Sequence, residues 1–132
     1  MKRIMLDTNM VSHFIKGHAT VNAHVLAAPM AALCISVVTE AELRYGLAKR
    51  PQAKQLKRVV EEFLCRVDVL PWNSPLTRRY GEVRAKLEQG GKTLGALDLL
   101  IAVHALEVDA LLVTNDHAFY YVDGLRIEDW TR

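Results

Sequence analysis

Residues 3–10 read Arg-Ile-Met-Leu-Asp-Thr-Asn-Met. The apolar run Ile4-Met5-Leu6 stops abruptly at Asp7, and the small polar residues Thr8 and Asn9 follow. A short continuous apolar run suits a buried strand. The stretch therefore predicts a strand over 3–6 and a helix over 9–16, ended by Gly17. Further helices are predicted over 20–28, where Pro29 stops the chain, and from Ser36 or Thr39 to about Lys49. Others follow over 52–65 with Pro51 in the first turn, over 76–89 before the Gly90-Gly91 stop, and over 96–107. Within 52–65, Leu56, Val59, Val60, Phe63 and Leu64 recur at helical spacing. Strands are predicted over 33–35, 67–70, 111–113 and 125–127. Strands alternating with helices give an α/β fold, a three-layer α/β/α sandwich on a mostly parallel sheet. Ligands of such sheets sit beyond the carboxyl ends of the strands, where Asp7 falls.

The bulk properties narrow the function. At 132 residues the chain suits a single domain, 1–132. A composition 51% hydrophobic and 24% charged is that of an ordinary soluble globular protein, and a net charge of +2 gives no strong field toward nucleic acid or membrane. No apolar run reaches the ~18 residues of a membrane span, and the N-terminal apolar stretch is too short for a signal peptide. Cys34 and Cys65 lie beside apolar residues and read as buried free thiols. The cytoplasm is the expected compartment.

Four carboxylates recur at one topological place. Asp7 ends the first strand, Glu42 lies in the helix after the second, Asp98 in the first turn of the apolar helix 96–107, and Asp116 after the fourth strand. Each has an ordinary reading: Asp7 as a helix N-cap, Thr39 with Glu42 as a capping box, Asp98 facing a helix dipole, Asp116 as a turn residue. An ionised Asp98 among Leu97, Leu99, Leu100 and Ile101 nevertheless needs partners or a metal. Clustered carboxylates repel one another, and hard oxygen donors suit Mg²⁺ or Mn²⁺. The matching chemistry is metal-assisted phosphodiester hydrolysis by an in-line water. Thr8, Asn9, Thr114 and Asn115 flank two of the acids and can either orient them or serve as caps and turn residues.

Together the segments MLDTNMVSHFI, ISVVTEAELRYG, GALDLLIAVHA and LLVTNDHAF, with the terminal GLRIEDW, resemble PIN-domain ribonucleases, and more closely the toxin subunits of bacterial VapBC toxin–antitoxin pairs. The resemblance implies a PIN-like sandwich and a Mg²⁺- or Mn²⁺-dependent endoribonuclease. It matches Asp7, Glu42, Asp98 and Asp116 to the family's acids, and Thr8, Asn9 and Thr114 to its accessory polar positions. It also implies a homodimer and a cognate VapB-type antitoxin lying across the active-site groove. The RNA substrate it suggests is a tRNA anticodon stem-loop, and DNA enters only indirectly through the antitoxin complex. Val11, Phe14, Ile15, Leu43, Tyr45 and Leu47 can line such a groove or simply pack the core.

Positive charge for RNA is local. Arg44, Lys49, Arg50, Lys54, Lys57 and Arg58 come without an intervening acid, and Lys92 precedes Asp98 by six positions. Arg78, Arg79, Arg84 and Lys86 form a weaker cluster. GGKTLG lacks the spacing of a phosphate loop. The five histidines show no paired metal-ligand spacing: His104 reads as a hydrogen-bonded core residue, and His117 adjoins Asp116, where substrate would pass. Two other readings stand beside the nuclease. A haloacid-dehalogenase-like phosphatase needs a second Asp where Asn9 stands, and a non-catalytic binding module gives no reason for four carboxylates at one edge.

Overall fold

In the computed structural model, which describes residues 2–132, five parallel strands form one sheet in the order β3-β2-β1-β4-β5. The strands are β1 (Ile4–Leu6), β2 (Leu33–Ser36), β3 (Asp68–Leu70), β4 (Leu111–Val113) and β5 (Ile127–Glu128). The helices are α1 (Thr8–Ile15), α2 (Ala19–Ala27), α3 (Val37–Lys49), α4 (Lys54–Arg66), α5 (Ser74–Gln89) and α6 (Ala96–Glu107). Two short 3-10 turns, Met30–Ala32 and His117–Tyr121, precede β2 and follow β4. No described helix is long and apolar enough to cross a membrane.

Alternation along the strands builds the layers. Met5, Cys34 and Leu112 point into one core with Leu76 and Leu87 of α5 and Leu99 and Ile101 of α6. Leu6, Ile35 and Val113 point to the other face, against Met10 and Val11 of α1, Val21 and Val25 of α2, Leu43 of α3 and Val60 of α4. Both faces of the sheet are therefore covered, which is why β1 is apolar throughout.

From β1 the chain builds β2 and β3 on one side, then crosses to β4 and β5 on the other. The order reverses between β1 and β4, whose residues pair Ile4 with Leu111 and Leu6 with Val113. Such a reversal opens a crevice at the carboxyl end of the sheet.

Local chemistry explains the boundaries. Gly17 adopts φ +85° and closes α1, with the His18 N–H reaching the His13 carbonyl at 2.9 Å. Several expectations shift. Ser36, not Thr39, caps α3 by accepting the Val38 N–H at 3.1 Å, so Thr39 and Glu42 do not form a capping box. Pro51 lies in a turn before α4, which starts at Lys54. α5 starts two residues earlier than predicted because Pro75 fits its first turn. The fifth strand is Ile127–Glu128 rather than 125–127. Cys34 is buried as expected, but Cys65 is exposed, because it lies on the outer face of α4.

Candidate active site

Asp7 is both a structural and a chemical residue. Its backbone N–H continues the sheet to the Val113 carbonyl at 3.1 Å, and its carboxylate accepts the Met10 N–H at 2.8 Å as the N-cap of α1. It is only 2% exposed. Burial pushes its pKa up from 3.8 to about 6; hydrogen bonds from the Thr114 side chain and the Met10 N–H oppose the rise, and the charges of Asp98 and Asp116 add to it. Asp98 is half-buried at the start of α6. Its pKa is also raised, first by burial and then by Asp116 and Glu42. The four acids come from four different elements, yet they act on one another electrostatically.

Small hydroxyls position them. Thr8 donates to the Glu42 carboxylate at 2.6 Å and shares a hydrogen bond with Thr39 at 3.1 Å, tying α1 to α3. Thr114 is buried, and its hydroxyl accepts the Asp116 N–H at 3.0 Å. Asp116 in turn caps the following 3-10 turn by accepting the Ala118 N–H at 3.0 Å. Asn9 is exposed on α1, and Asn115 is exposed beside Thr114. Neither makes a side-chain hydrogen bond to an acid among the described residues. The pattern Thr39-x-x-Glu42 pointed at the right pair for the wrong reason: Thr39 belongs to the network around Glu42, not to a helix cap.

None of the four acids forms an ion pair among the described residues, although nine ion pairs occur elsewhere. Uncompensated carboxylates in one crevice are a donor set for a hard divalent cation. No three of the described His, Cys, Asp or Glu side chains already form a closed ligand group, so the four acids do not make a preassembled cage.

The basic candidates fare unequally. Arg44 pairs with Glu61 and with Glu40 at 3.5 Å, so its charge is already engaged. Arg79, Arg84 and Lys86 pair with Glu107, Glu88 and Asp123. Lys49 lies 4.6 Å over the Tyr45 ring and Lys92 4.6 Å over the Tyr121 ring, neither in an ion pair among the described residues. Arg50 is exposed at the end of α3. His104 is a core residue as expected: its Nδ1 meets Ser36 Oγ at 2.7 Å, and burial lowers its pKa.

A five-stranded parallel sheet with helices on both faces and carboxylates gathered at its switch point defines the class of protein: the chain belongs to the PIN-domain family, whose model matches residues 4–125. Within that family its relatives are VapC ribonucleases. It is 36% identical to the tRNA(fMet)-specific endonuclease VapC of Shigella flexneri, over 99% of this chain and 100% of that protein. It is 37% identical to ribonuclease VapC2 of Rickettsia felis, over 97% and 98% of the two chains. The DNA-bound VapBC structure from Salmonella typhimurium superposes with a TM-score of 0.91 at 34% identity, covering 98% of this chain and 99% of that one.

Proposed function

We propose that this chain is a VapC-type endoribonuclease toxin held in check by a cognate VapB-type antitoxin. What supports the reading is that Asp98 and Asp116 raise the pKa of Asp7, that Asp116 and Glu42 raise that of Asp98, and that none of the four has an ion-pair partner among the described residues, in a chain whose relatives are ribonucleases. These four acids hold Mg²⁺ or Mn²⁺, with Asp7 and Asp98 as the core ligands and Glu42 and Asp116 assisting. When bound, the cation polarises a phosphoryl oxygen and lowers the pKa of an attacking water. Thr8 keeps Glu42 aimed into the crevice, and Thr114 orients Asp7 while fixing the backbone at Asp116. Burial first, and the neighbouring acids second, raise the pKa values of Asp7 and Asp98, and a bound divalent cation offsets both costs. The name of the Shigella relative makes a tRNA the first substrate to try. Incubation with mixed RNA tests the reading: chelator abolishes cleavage, and added Mg²⁺ or Mn²⁺ restores it. Chelator-resistant cleavage overturns the metal assignment.

The antitoxin has a place to lie. Phe14, Leu26, Met30, Val59 and Phe63 line an apolar groove of about 390 Å³ between α1, α2 and α4, with Glu62 and Arg66 at its rim. Leu26 is 82% exposed and Met30 55% exposed on it, which the core does not explain. The amphipathic helix of an antitoxin fits such a groove, and the Salmonella relative was crystallised as a VapBC assembly on DNA. Of the residues that suited either a groove or the core, Val11 and Leu43 are buried in the core. DNA contact belongs to the antitoxin in this reading, and the toxin subunits pair as a homodimer.

RNA needs cations beyond the acids. Lys49 and Arg50 supply them at the end of α3, free of acidic partners among the described residues. Replacing both with Gln makes the logarithmic salt dependence of RNA binding shallower by ~0.7 for each single-strand phosphate that the variant no longer neutralises. Filter binding between low and moderate salt reads this directly. An unchanged slope places the RNA path elsewhere.

A further inference from the structure

Beyond the carboxyl end of β4 lies a pocket that the acids do not occupy. Thr114, Asn115, His117, Tyr120, Asp129 and Arg132 enclose about 280 Å³. One wall is shared with the acidic crevice, because Thr114 binds Asp7 and accepts the Asp116 N–H. Thr114 therefore joins the pocket directly to Asp7 and Asp116.

Part of the lining is aromatic. His117 and Tyr120 meet edge to face, with ring centroids 6.1 Å apart and planes at 83°. Core packing does not account for Tyr120, which is 63% exposed, because Phe119 and Val122 of the same segment carry the packing. The pocket also holds a cation with spare donors. Arg132 pairs with Asp129 Oδ2 through its Nε at 3.6 Å, while the Thr131 N–H and hydroxyl occupy Oδ1; the Arg132 side chain is 81% exposed, so its two Nη groups stay open to a ligand. The floor is firmly held: Trp130 is buried, donates to Glu128 at 2.8 Å and stacks on His24, while the Thr114 N–H reaches the Glu128 carbonyl at 3.0 Å.

We propose that this pocket is a nucleotide subsite, in which one unpaired base of the RNA stacks on Tyr120 beside His117 and Arg132 takes an adjoining phosphate. The inference rests on the ribonuclease reading above. Stacking on an exposed aromatic ring selects for single-stranded RNA, whose bases can splay out, over duplex. Asn115 and Asp129 offer donor and acceptor groups at the base edge, so the subsite also favours some bases over others. Tyr120 is thus a positioning residue for the strand and takes no part in bond cleavage.

The test is single-turnover cleavage, with enzyme in excess, of a labelled single-stranded RNA that the wild type cuts at one bond. A parallel series carries one abasic nucleotide at each position flanking that bond. At one position the abasic change weakens the apparent Kd of the wild type about tenfold, within the range for base–aromatic stacking. Tyr120→Ala shows the same loss on the intact RNA and no further loss on that abasic RNA. Tyr120→Phe keeps the ring and stays close to wild type, and Arg132→Gln lowers the salt slope by about 0.7. The losses fall in apparent Kd rather than in the saturating rate. Wild-type behaviour of Tyr120→Ala, or independent losses at every position, overturns the subsite alone. So does a Tyr120→Ala protein that loses antitoxin capture while binding RNA normally, since the pocket then belongs to the partner's surface. A wild type that cuts no RNA overturns the ribonuclease reading and the subsite with it.

Discussion

Asp7→Asn abolishes RNA cleavage and at the same time makes the metal-free protein more stable. The loss of activity follows from removing a core ligand. A metal's stabilisation of developing charge is worth several kcal/mol, so the rate falls by on the order of 10³-fold or more. The gain in stability follows from burial. The folded-state pKa of Asp7 lies at about 6, above its unfolded value of 3.8. Between those two values the native state binds more protons, so stability falls as pH rises through the window. Above it the cost levels off at about 3 kcal/mol for a shift of this size. Asparagine carries no such cost, and its side-chain oxygen still accepts the Met10 N–H as an N-cap. Thermal melts in chelator should show the variant several degrees more stable at pH 7 and nearly level with wild type at pH 4. Added Mg²⁺ should then raise the melting temperature of the wild type and leave the variant where it was. Retained cleavage sinks the site assignment, and a variant less stable at pH 7 sinks the buried-charge account.

Leu26→Glu should release the antitoxin without harming the toxin. Leu26 is so exposed that the fold loses little when it changes. Covered by a partner's apolar helix, a glutamate there is desolvated, and the one cation lining the groove, Arg66, is already paired with Glu62 at 2.7 Å. Truncated hot spots cost ~2 kcal/mol or more, so affinity should drop at least roughly 30-fold. The variant should fail to co-purify with the product of the adjacent antitoxin gene while still cutting RNA, and its toxicity should escape rescue. Normal co-purification would move the antitoxin off this groove.

The sequence carried much of this architecture because local chemistry is strong here. A strand buried on both faces has to be apolar, so Ile4-Met5-Leu6 announced β1, and Asp7 at its end announced the crevice. Gly17 and Gly91, both at positive φ, and Pro29 stopped helices where backbone geometry requires it. Boundaries were less legible where two residues compete for one role. Ser36 and Thr39 both suit a cap, and only the end of β2 decides between them. Cys65 looked buried because its neighbours Phe63 and Leu64 pack inward, whereas its own position on α4 faces solvent.

By itself the sequence determined the α/β alternation, the four acids and their place after strands or early in helices, and the family resemblance that the PIN-domain match bears out. These are properties of periodicity and short motifs, which need no knowledge of what lies across the molecule. Only the tertiary structure decided which charges are free. Arg44 has its charge engaged by Glu61 on the neighbouring helix, Thr8 reached Glu42 across α1 and α3, and Leu26 was left uncovered beside α4. The pocket of His117, Tyr120 and Arg132 likewise exists only because β5 lies beside β4 and brings the following segment against the 3-10 turn. Pairings of this kind join residues far apart in the chain, and their energies depend on distance and burial, which sequence spacing does not encode.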